Sequence, residues 1–335
     1  MKAYQYRMGN DIDGLQMATL PVPAVGPGQV LVRMRAASLN YRDLLVVSGG
    51  YPRAQQAVII PLSDGAGEIV EVAPGVTSLA AGDRVTPLYS QSWMSGDMVD
   101  SDGAFALGGS IDGVAAEYCV FDADKVLKFP DHMSFEEAAT LPCAAVTAWN
   151  GLHGPRPVSA GDTVLTLGTG GVSIFALQLA HAAGATVIVT SSSDDKLARA
   201  KTLGADHVIN YVSDPDWDVT VRALTGGRGV DHVIETCGGG TMLRSVKSCR
   251  RAGWVHAIGL LAPGEIDPVH VLLGGVILRG TEVGSRDMFA AMNRSLAQSL
   301  IKPVIDATFA FDALPDALRQ LKTGGHFGKI VVSIP

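Results

Sequence analysis

Few cysteines, no clustered positive charge and no long apolar run set the first limits on this chain. Four cysteines stand at positions 119, 143, 237 and 249 of 335 residues, with no C-x-x-C pair. That is too few to staple a chain of this length, so the thiols read as free rather than as a disulfide framework. Lysine and arginine cluster nowhere and the formal net charge is −7, so the electrostatic footprint of a nucleic-acid binder is missing. No segment reaches about eighteen unbroken apolar residues, the length that marks a membrane-spanning helix. The start, Met1-Lys-Ala-Tyr-Gln-Tyr6, has no apolar signal core. A soluble, cytoplasmic protein is expected. What the chain does have is 47% apolar against 18% charged residues, enough for two domains, each with its own core.

The stretch from Thr163 to Asn210 organises the rest. Thr163-Val-Leu-Thr-Leu167 is a short β-branched and leucine run closed by Gly168. A helical-length apolar segment then runs to Gly184, and a second strand-like run covers Ala185 to Thr190. The pattern is a strand, a crossover helix and a parallel strand. Gly168 and Gly170 fall at the strand-to-helix turn, where missing Cβ atoms let the backbone approach a pyrophosphate and the helix start offers it free N–H groups. The third glycine of the fingerprint is replaced by Ser173, a departure expected to loosen the packing of helix on strand. An acid that reads the ribose 2′-hydroxyl of NAD would stand at position 191, which is Ser191. Ser191, Ser192, Ser193 and Lys196 offer hydroxyls and a cation instead, which predicts NADP(H) over NAD(H). The alternative is a doubly wound sheet with a glycine turn and no nucleotide.

Residues 1–122 read as an all-β, barrel-like domain. Short β-like runs at Val30–Met34, Val58–Pro61, Glu68–Val72, Arg84–Pro87 and Ala115–Val120 are separated by turn chemistry. A helix is predicted between Asn40 and Val47, and Gln91–Gly109 reads as a long surface loop. Residues 123–300 alternate helix and strand. Ser134-Phe-Glu-Glu137 is a capping box, and strands are expected at His207–Asn210, Val230–Thr236, Trp254–Leu260 and Val276–Val283. After a helix from Arg286 to Leu300 the tail returns to β-like runs at Thr308–Phe311 and Gly328–Ile334, around a helix from Leu314 to Lys322. Residues 301–335 are therefore expected to rejoin the first domain.

This order resembles the medium-chain dehydrogenase/reductase superfamily over essentially the whole chain. The resemblance is carried by Asp64-Gly-Ala-Gly-Glu-Ile-Val-Glu-Val-Ala-Pro-Gly-Val76, Ala81-Gly-Asp-Arg-Val85, Leu141-Pro-Cys-Ala-Ala-Val-Thr-Ala-Trp149, Gly168 to Val172, Leu203-Gly-Ala-Asp-His-Val-Ile-Asn-Tyr211 and Gly328-Lys-Ile-Val331. It implies an α/β protein with a GroES-like β-barrel catalytic domain and a Rossmann doubly wound parallel sheet, with hydride moving to or from a nicotinamide. Alcohol dehydrogenases of the superfamily hold a catalytic zinc with two cysteines and a histidine. The corresponding positions here are Asn40, Ser63 followed by Asp64, and Cys143. One thiolate is too few where a catalytic zinc needs three protein ligands, so no metal site is expected. The chain resembles the zinc-independent quinone oxidoreductases and enoyl reductases.

The resemblance also implies roles for single residues. Asn40 and Tyr41 stand against the nicotinamide, and Tyr51 matches a tyrosine proton donor; the other reading of Tyr51 is a packed ring in a Gly-Gly-Tyr-Pro turn. Arg42 and Asp43 read as an ion pair facing the barrel. Gly168, Gly170, Gly171 and Val172 form the phosphate turn. Thr147 lies behind the nicotinamide ring or makes a helix-to-helix hydrogen bond. Lys196 and Tyr211 hold the 2′-phosphate of NADPH, unless Lys196 is a solvated helix side chain. Cys237-Gly-Gly-Gly240 passes the ribose, Gly259 and Leu261 lend backbone groups to the carboxamide, and Lys329 reaches a phosphate. Cys143 reads as an inert core residue, and His181, His207 and His232 as structural. The reading is an NADPH-dependent reductase of quinones or α,β-unsaturated carbonyl compounds. Its rivals are a metal-free carbonyl reductase or alcohol dehydrogenase-like enzyme, and a non-catalytic NADPH-binding protein. Val276–Val283, an apolar edge strand without proline, is expected to pair with its own copy in a homodimer.

Overall fold

The computed structural model describes residues 1–7, 10–51, 58–259 and 261–335. They divide into two compact units, Met1–Val146 with Val283–Pro335, and Thr147–Glu282. Among the described residues no helix is long and apolar enough to cross a membrane.

The first unit is built on the strand Gln29–Ser38. Val30, Val32 and Met34 alternate along it and are fully buried, the period of a strand with one face in a core. It pairs antiparallel with Asp64–Val72 and Tyr118–Asp122, and its end pairs antiparallel with Lys329–Ser333 from the tail. The tail thus closes a seven-stranded sheet that ends on Ile305–Ala310 at one side and Val126–Lys128 at the other. A smaller three-stranded sheet of Leu15–Thr19, Lys2–Arg7 and Val58–Ile59 was not anticipated. The run expected at Ala115–Val120 forms its strand at Tyr118–Asp122.

Gln91–Gly109 lies partly at the surface, with Ser95–Asp97 and Val99–Ser101 exposed, but it is more than a surface loop. It holds a 3-10 segment, Asp100–Phe105, and buries Trp93, Asp102 and Leu107. Its polar residues make their own scaffold: Ser90 Oγ donates to Asp102 O at 2.8 Å, and Asp102 Oδ2 accepts from Val99 N at 3.0 Å. Side-chain-to-backbone bonds of this kind order a chain without periodicity.

The units divide at 146/147 and 282/283, not at 122/123 and 300/301. The capping-box helix Phe135–Ala139 and the helix Arg286–Ser299 both fall in the first unit. The second helix is tied there by Asn293 Nδ2 to Lys128 O at 3.0 Å and by Arg286 N to Trp93 O at 2.9 Å.

The second unit is a six-stranded, all-parallel sheet. Its order is His207–Asn210, Thr186–Ser191, Thr163–Leu167, Val230–Glu235, Cys249–Ala257 and Ile277–Gly280. The chain winds outward from Thr163–Leu167 in one direction and then the other, so the order reverses between that strand and Val230–Glu235. In open α/β sheets ligands bind beyond the strand ends at such a point.

Candidate active site

The glycine turn stands at this switch point of the second unit. Gly168 has φ +73°, a left-handed conformation that suits glycine, and an added Cβ would meet no atom within 4 Å. At Gly170, which is extended, an added Cβ would likewise meet no atom within 4 Å; it precedes the helix Gly171–Ala182 and offers no side chain to cap it. The N–H groups of Gly171, Val172 and Ser173 thus open the helix beside empty space, an arrangement that fits a phosphate. Ser173 does not loosen the packing. Its buried hydroxyl donates to Leu167 O at 2.7 Å, tying helix start to strand end.

Ser191 ends the next strand, and Tyr211 N donates to Ser191 O at 3.1 Å from the strand beyond. Lys196 lies in the first turn of the helix Asp194–Thr202, whose start is capped by Ser193 Oγ. Ser191, Ser192, Lys196 and Tyr211 therefore share one end of two adjacent strands. Ser191 is buried, while Ser192 and Tyr211 are exposed. Asp194 and Asp195 share that turn, and Asp194 Oδ1 accepts from Asn210 Nδ2 at 2.8 Å. Thr147 is buried in the same unit.

Sequence reasoning missed Glu235, the fully buried end of the strand Val230–Glu235. Its carboxylate accepts from Cys237 N at 2.9 Å, Gly238 N at 3.1 Å and Thr241 Oγ1 at 2.8 Å, and also from Ser245 Oγ. It thereby shapes the loop Cys237–Gly240. Gly259 packs on the same loop so closely that a Cβ would lie 2.0 Å from Thr236 O. Leu261 follows with its N–H on Cys237 O at 3.0 Å; Leu260 lies outside the described residues. A buried acid ending an apolar strand before three glycines was the available signal.

The first unit gathers a second set of polar groups. Asn40 precedes the helix Tyr41–Val47, and its N–H donates to Asp43 Oδ2 at 2.8 Å. Tyr41 is exposed. Arg42 and Asp43 pair at 3.4 Å, and Arg42 Nη1 also donates to Leu107 O at 2.8 Å. The Arg42 guanidinium lies 4.5 Å from the ring centre of Tyr51 and 5.2 Å from that of Tyr89. The two tyrosine hydroxyls are 3.0 Å apart. Tyr89 is a member of this set that no motif announced.

Lys329 lies among these groups in the first unit. It is buried, and its Nζ donates to Leu39 O and Asn40 Oδ1. Asp64, wholly buried, accepts from Ser63 Oγ at 2.7 Å and Cys143 N at 3.0 Å. Burial raises the Asp64 carboxyl against the pull of Lys329, and burial lowers the Lys329 ammonium against the pull of Asp64. Asp43 is pushed up to about 6, chiefly by burial, which Arg42 and the Asn40 N–H only partly offset. Burial first, and Asp64 next, push the Cys143 thiol far above its ordinary range, which keeps it protonated and a poor nucleophile.

These residues do not fit a catalytic zinc. Asn40, Ser63 and Cys143 offer one sulfur where a catalytic zinc needs three protein ligands, and Lys329 brings a positive charge against Asn40 itself. Among the described residues no group of three or more His, Cys, Asp or Glu could hold a metal ion.

Of the residues expected to be structural, His232 is fully buried and lies 2.8 Å from Arg156 Nη1 and 3.2 Å from His256. His181 is exposed and His207 half-buried.

Comparison with known proteins agrees with both halves. The family model for an alcohol dehydrogenase GroES-like domain matches residues 26–131, and that for a zinc-binding dehydrogenase matches 171–299. A zinc-type alcohol dehydrogenase-like protein of Schizosaccharomyces pombe is 43% identical over 99% of each chain. The crystal structure of an NAD-dependent alcohol dehydrogenase superposes with a TM-score of 0.91 at 33% identity, over 100% of each chain. A mycobacterial protein complexed with NADPH superposes with a TM-score of 0.83 at 27% identity, again over 100% of each chain.

Proposed function

Because the chain belongs to the medium-chain dehydrogenase/reductase superfamily, among its alcohol dehydrogenase-like oxidoreductases, we propose that it is a zinc-independent reductase. It uses NADPH to reduce quinones or α,β-unsaturated carbonyl compounds. The nicotinamide supplies a hydride when bound. The chain's own residues must hold the cofactor, orient the acceptor, stabilise charge on its oxygen and deliver a proton.

The observation that carries the zinc-free reading is the donor set around Asn40. Without a metal to polarise an alcohol, the easier direction is reduction of an electron-poor acceptor. Such an acceptor takes hydride at carbon and needs a hydrogen-bond donor for its oxygen. Asn40 and the Tyr51–Tyr89 pair are the donors at hand, and Tyr51 is our proton donor. The names of the relatives favour a second reading, exchange between a carbonyl and an alcohol. Stopped-flow loss of 340 nm absorbance on mixing NADPH-loaded protein with quinones, enones and ketones separates them. Reduction of quinones or enones by protein with no stoichiometric zinc is the expected result. Turnover of ketones alone, or near one zinc per chain by elemental analysis, would end the proposal.

Gly168, Gly170, Gly171 and Val172 cradle the pyrophosphate in this reading. Thr147 backs the nicotinamide, and Gly259 and Leu261 present backbone groups to the carboxamide. Ser191, Ser192, Lys196 and Tyr211 surround the 2′-phosphate. Lys196→Ala is then expected to weaken NADPH by roughly 1–3 kcal/mol and to leave NADH nearly unchanged, the scale of one charge-assisted hydrogen bond. Titration of both cofactors by protein fluorescence checks it; equal losses would free Lys196 of that role.

The proposal extends to assembly. The strand Ile277–Gly280 is the edge of the second unit's sheet, and Ile277 and Leu278 are 38% and 39% exposed. Unpaired edges invite partners, and pairing with a second copy across a two-fold axis would satisfy them. On that strand Arg279 donates to Asn150 Oδ1 at 3.2 Å. Light scattering should give twice the 34.9 kDa chain mass; the single-chain value across micromolar concentrations would refute the homodimer.

A further inference from the structure

We propose that Lys329 is a positioning residue whose ammonium locks the Asn40 amide so that Asn40 Nδ2 is the donor to the acceptor's oxygen. The inference rests on the reductase reading above and names the group within that site that meets the oxygen.

An ammonium has three donors and no acceptor. Lys329 Nζ bonds Asn40 Oδ1, so the opposite amide orientation would set donor against donor. The flip that leaves most asparagines ambiguous is thereby decided here. Asn40 is held at its backbone as well, by Asp43 Oδ2 on its N–H at 2.8 Å. The lysine is anchored too. Its N–H donates to Val304 O at 2.9 Å, and its strand pairs with the end of Gln29–Ser38, just before Leu39 and Asn40. Asp64 and Asp43 balance its charge.

What this leaves over is Asn40 Nδ2. The nitrogen is buried and carries two N–H donors; a hydrogen bond from the Asn40 side chain that helps lower the Asp64 carboxyl takes at most one of them, and no bond of ordinary geometry to another described residue takes the second. Buried donors without partners are rare in folded proteins. One held in place by a lysine, at the start of a helix and beside two buried acids, points to an acceptor that arrives with the substrate. The chemistry balances. Hydride adds to the β-carbon of an enone, the C=C electron pair moves toward the carbonyl, and the oxygen becomes an enolate. Asn40 Nδ2 donates to that oxygen, and the proton that completes reduction comes from Tyr51 or water. In a quinone the same donor meets the developing phenolate oxygen.

The test is a double-mutant cycle on the full chain, with an enone and a quinone that the wild type reduces. Lys329→Met and Asn40→Ala should each lower kcat by roughly 10²-fold, the usual effect of losing one oxyanion donor. The double variant should be little worse than either, because the lysine acts through the asparagine. NADPH affinity, read by fluorescence without turnover, should stay within about twofold of wild type, and Lys329→Arg should recover part of kcat. Additive losses, an unchanged kcat in Lys329→Met, or a loss confined to NADPH affinity would each overturn the proposal. Should Lys329→Met fail to fold, Asn40→Asp decides: it keeps an oxygen for the lysine but lacks the N–H, and wild-type kcat in that variant would also overturn it. A wild type that reduces no quinone or enone would sink the reductase reading itself, a distinguishable failure.

Discussion

Asp231→Ala is expected to destabilise the second unit by about 3–5 kcal/mol, the range for removing one partner of a buried charge cluster. Asp231 is fully buried and gathers three guanidinium groups. Arg228 reaches it through two bonds of 2.8 Å, Arg250 Nε at 2.5 Å and Arg156 Nη2 at 3.2 Å. Its Oδ2 also accepts from Thr163 N at 2.9 Å, which joins the start of the strand that leads to the glycine turn. Burial alone would raise this carboxyl, but Arg228, Arg250 and the Thr163 N–H outweigh it and hold it well below the usual carboxylate range. The alanine variant leaves the Thr163 N–H without that acceptor and three cations crowded together. Thermal unfolding should show a midpoint lower by roughly 10 °C. A drop below about 2 °C would mean that the arginines are solvated well enough to do without the acid.

The same cluster sets the acid side of the stability profile. Burial, then the neighbouring Arg156 charge, lowers His232 to about 4; burial, then His232 and Arg279, lowers His256 to about 3. Both stay neutral in the folded chain while the unfolded chain protonates them near 6.5. Between these values the unfolded state binds more protons, so stability falls as pH drops from about 6.5 toward 4. For His232 alone the loss approaches about 3 kcal/mol at the bottom of that window. Asp231, with its depressed pKa, adds its own loss only below about pH 4.

The second unit was almost wholly legible because its elements announce themselves locally. The central strands Thr163–Leu167, Thr186–Ser191 and Val230–Glu235 are short apolar runs buried along nearly their whole length, and each is followed by a helical segment. Departures arose where a residue's role depends on distant partners. Ser173 reads as a missing glycine until its hydroxyl is seen on Leu167 O. The helices Phe135–Ala139 and Arg286–Ser299 continue the alternation of strand and helix, yet both belong to the first unit. Their amphipathic faces say that they pack, not on what. Nothing in Gly328-Lys-Ile-Val331 announces that Lys329 bonds Asn40, some three hundred positions earlier. Tyr89 meets Tyr51 across 38 positions with no motif to join them.

Tyr51→Phe is expected to lower enone turnover by roughly 10²-fold while leaving quinone reduction close to wild type. General acid catalysis by a positioned side chain is worth about 10²–10⁴-fold. An enone needs a proton placed at carbon after hydride arrives, a step that water performs slowly, whereas the oxygens of a reduced quinone take protons from water readily. The substitution keeps the ring against the Arg42 guanidinium, 4.5 Å from its centre, and removes only the hydroxyl that meets Tyr89. Because the packing survives, loss of fold should not mimic loss of chemistry. The segment Pro52 to Ala57 that follows lies outside the described residues, so the substitution is confined to the last described residue before it. If kcat falls with both substrates, the Tyr51–Tyr89 pair positions the acceptor and does not protonate it. If enone turnover is unchanged, Tyr51 is a packed ring on Arg42, and the proton comes from elsewhere in the site.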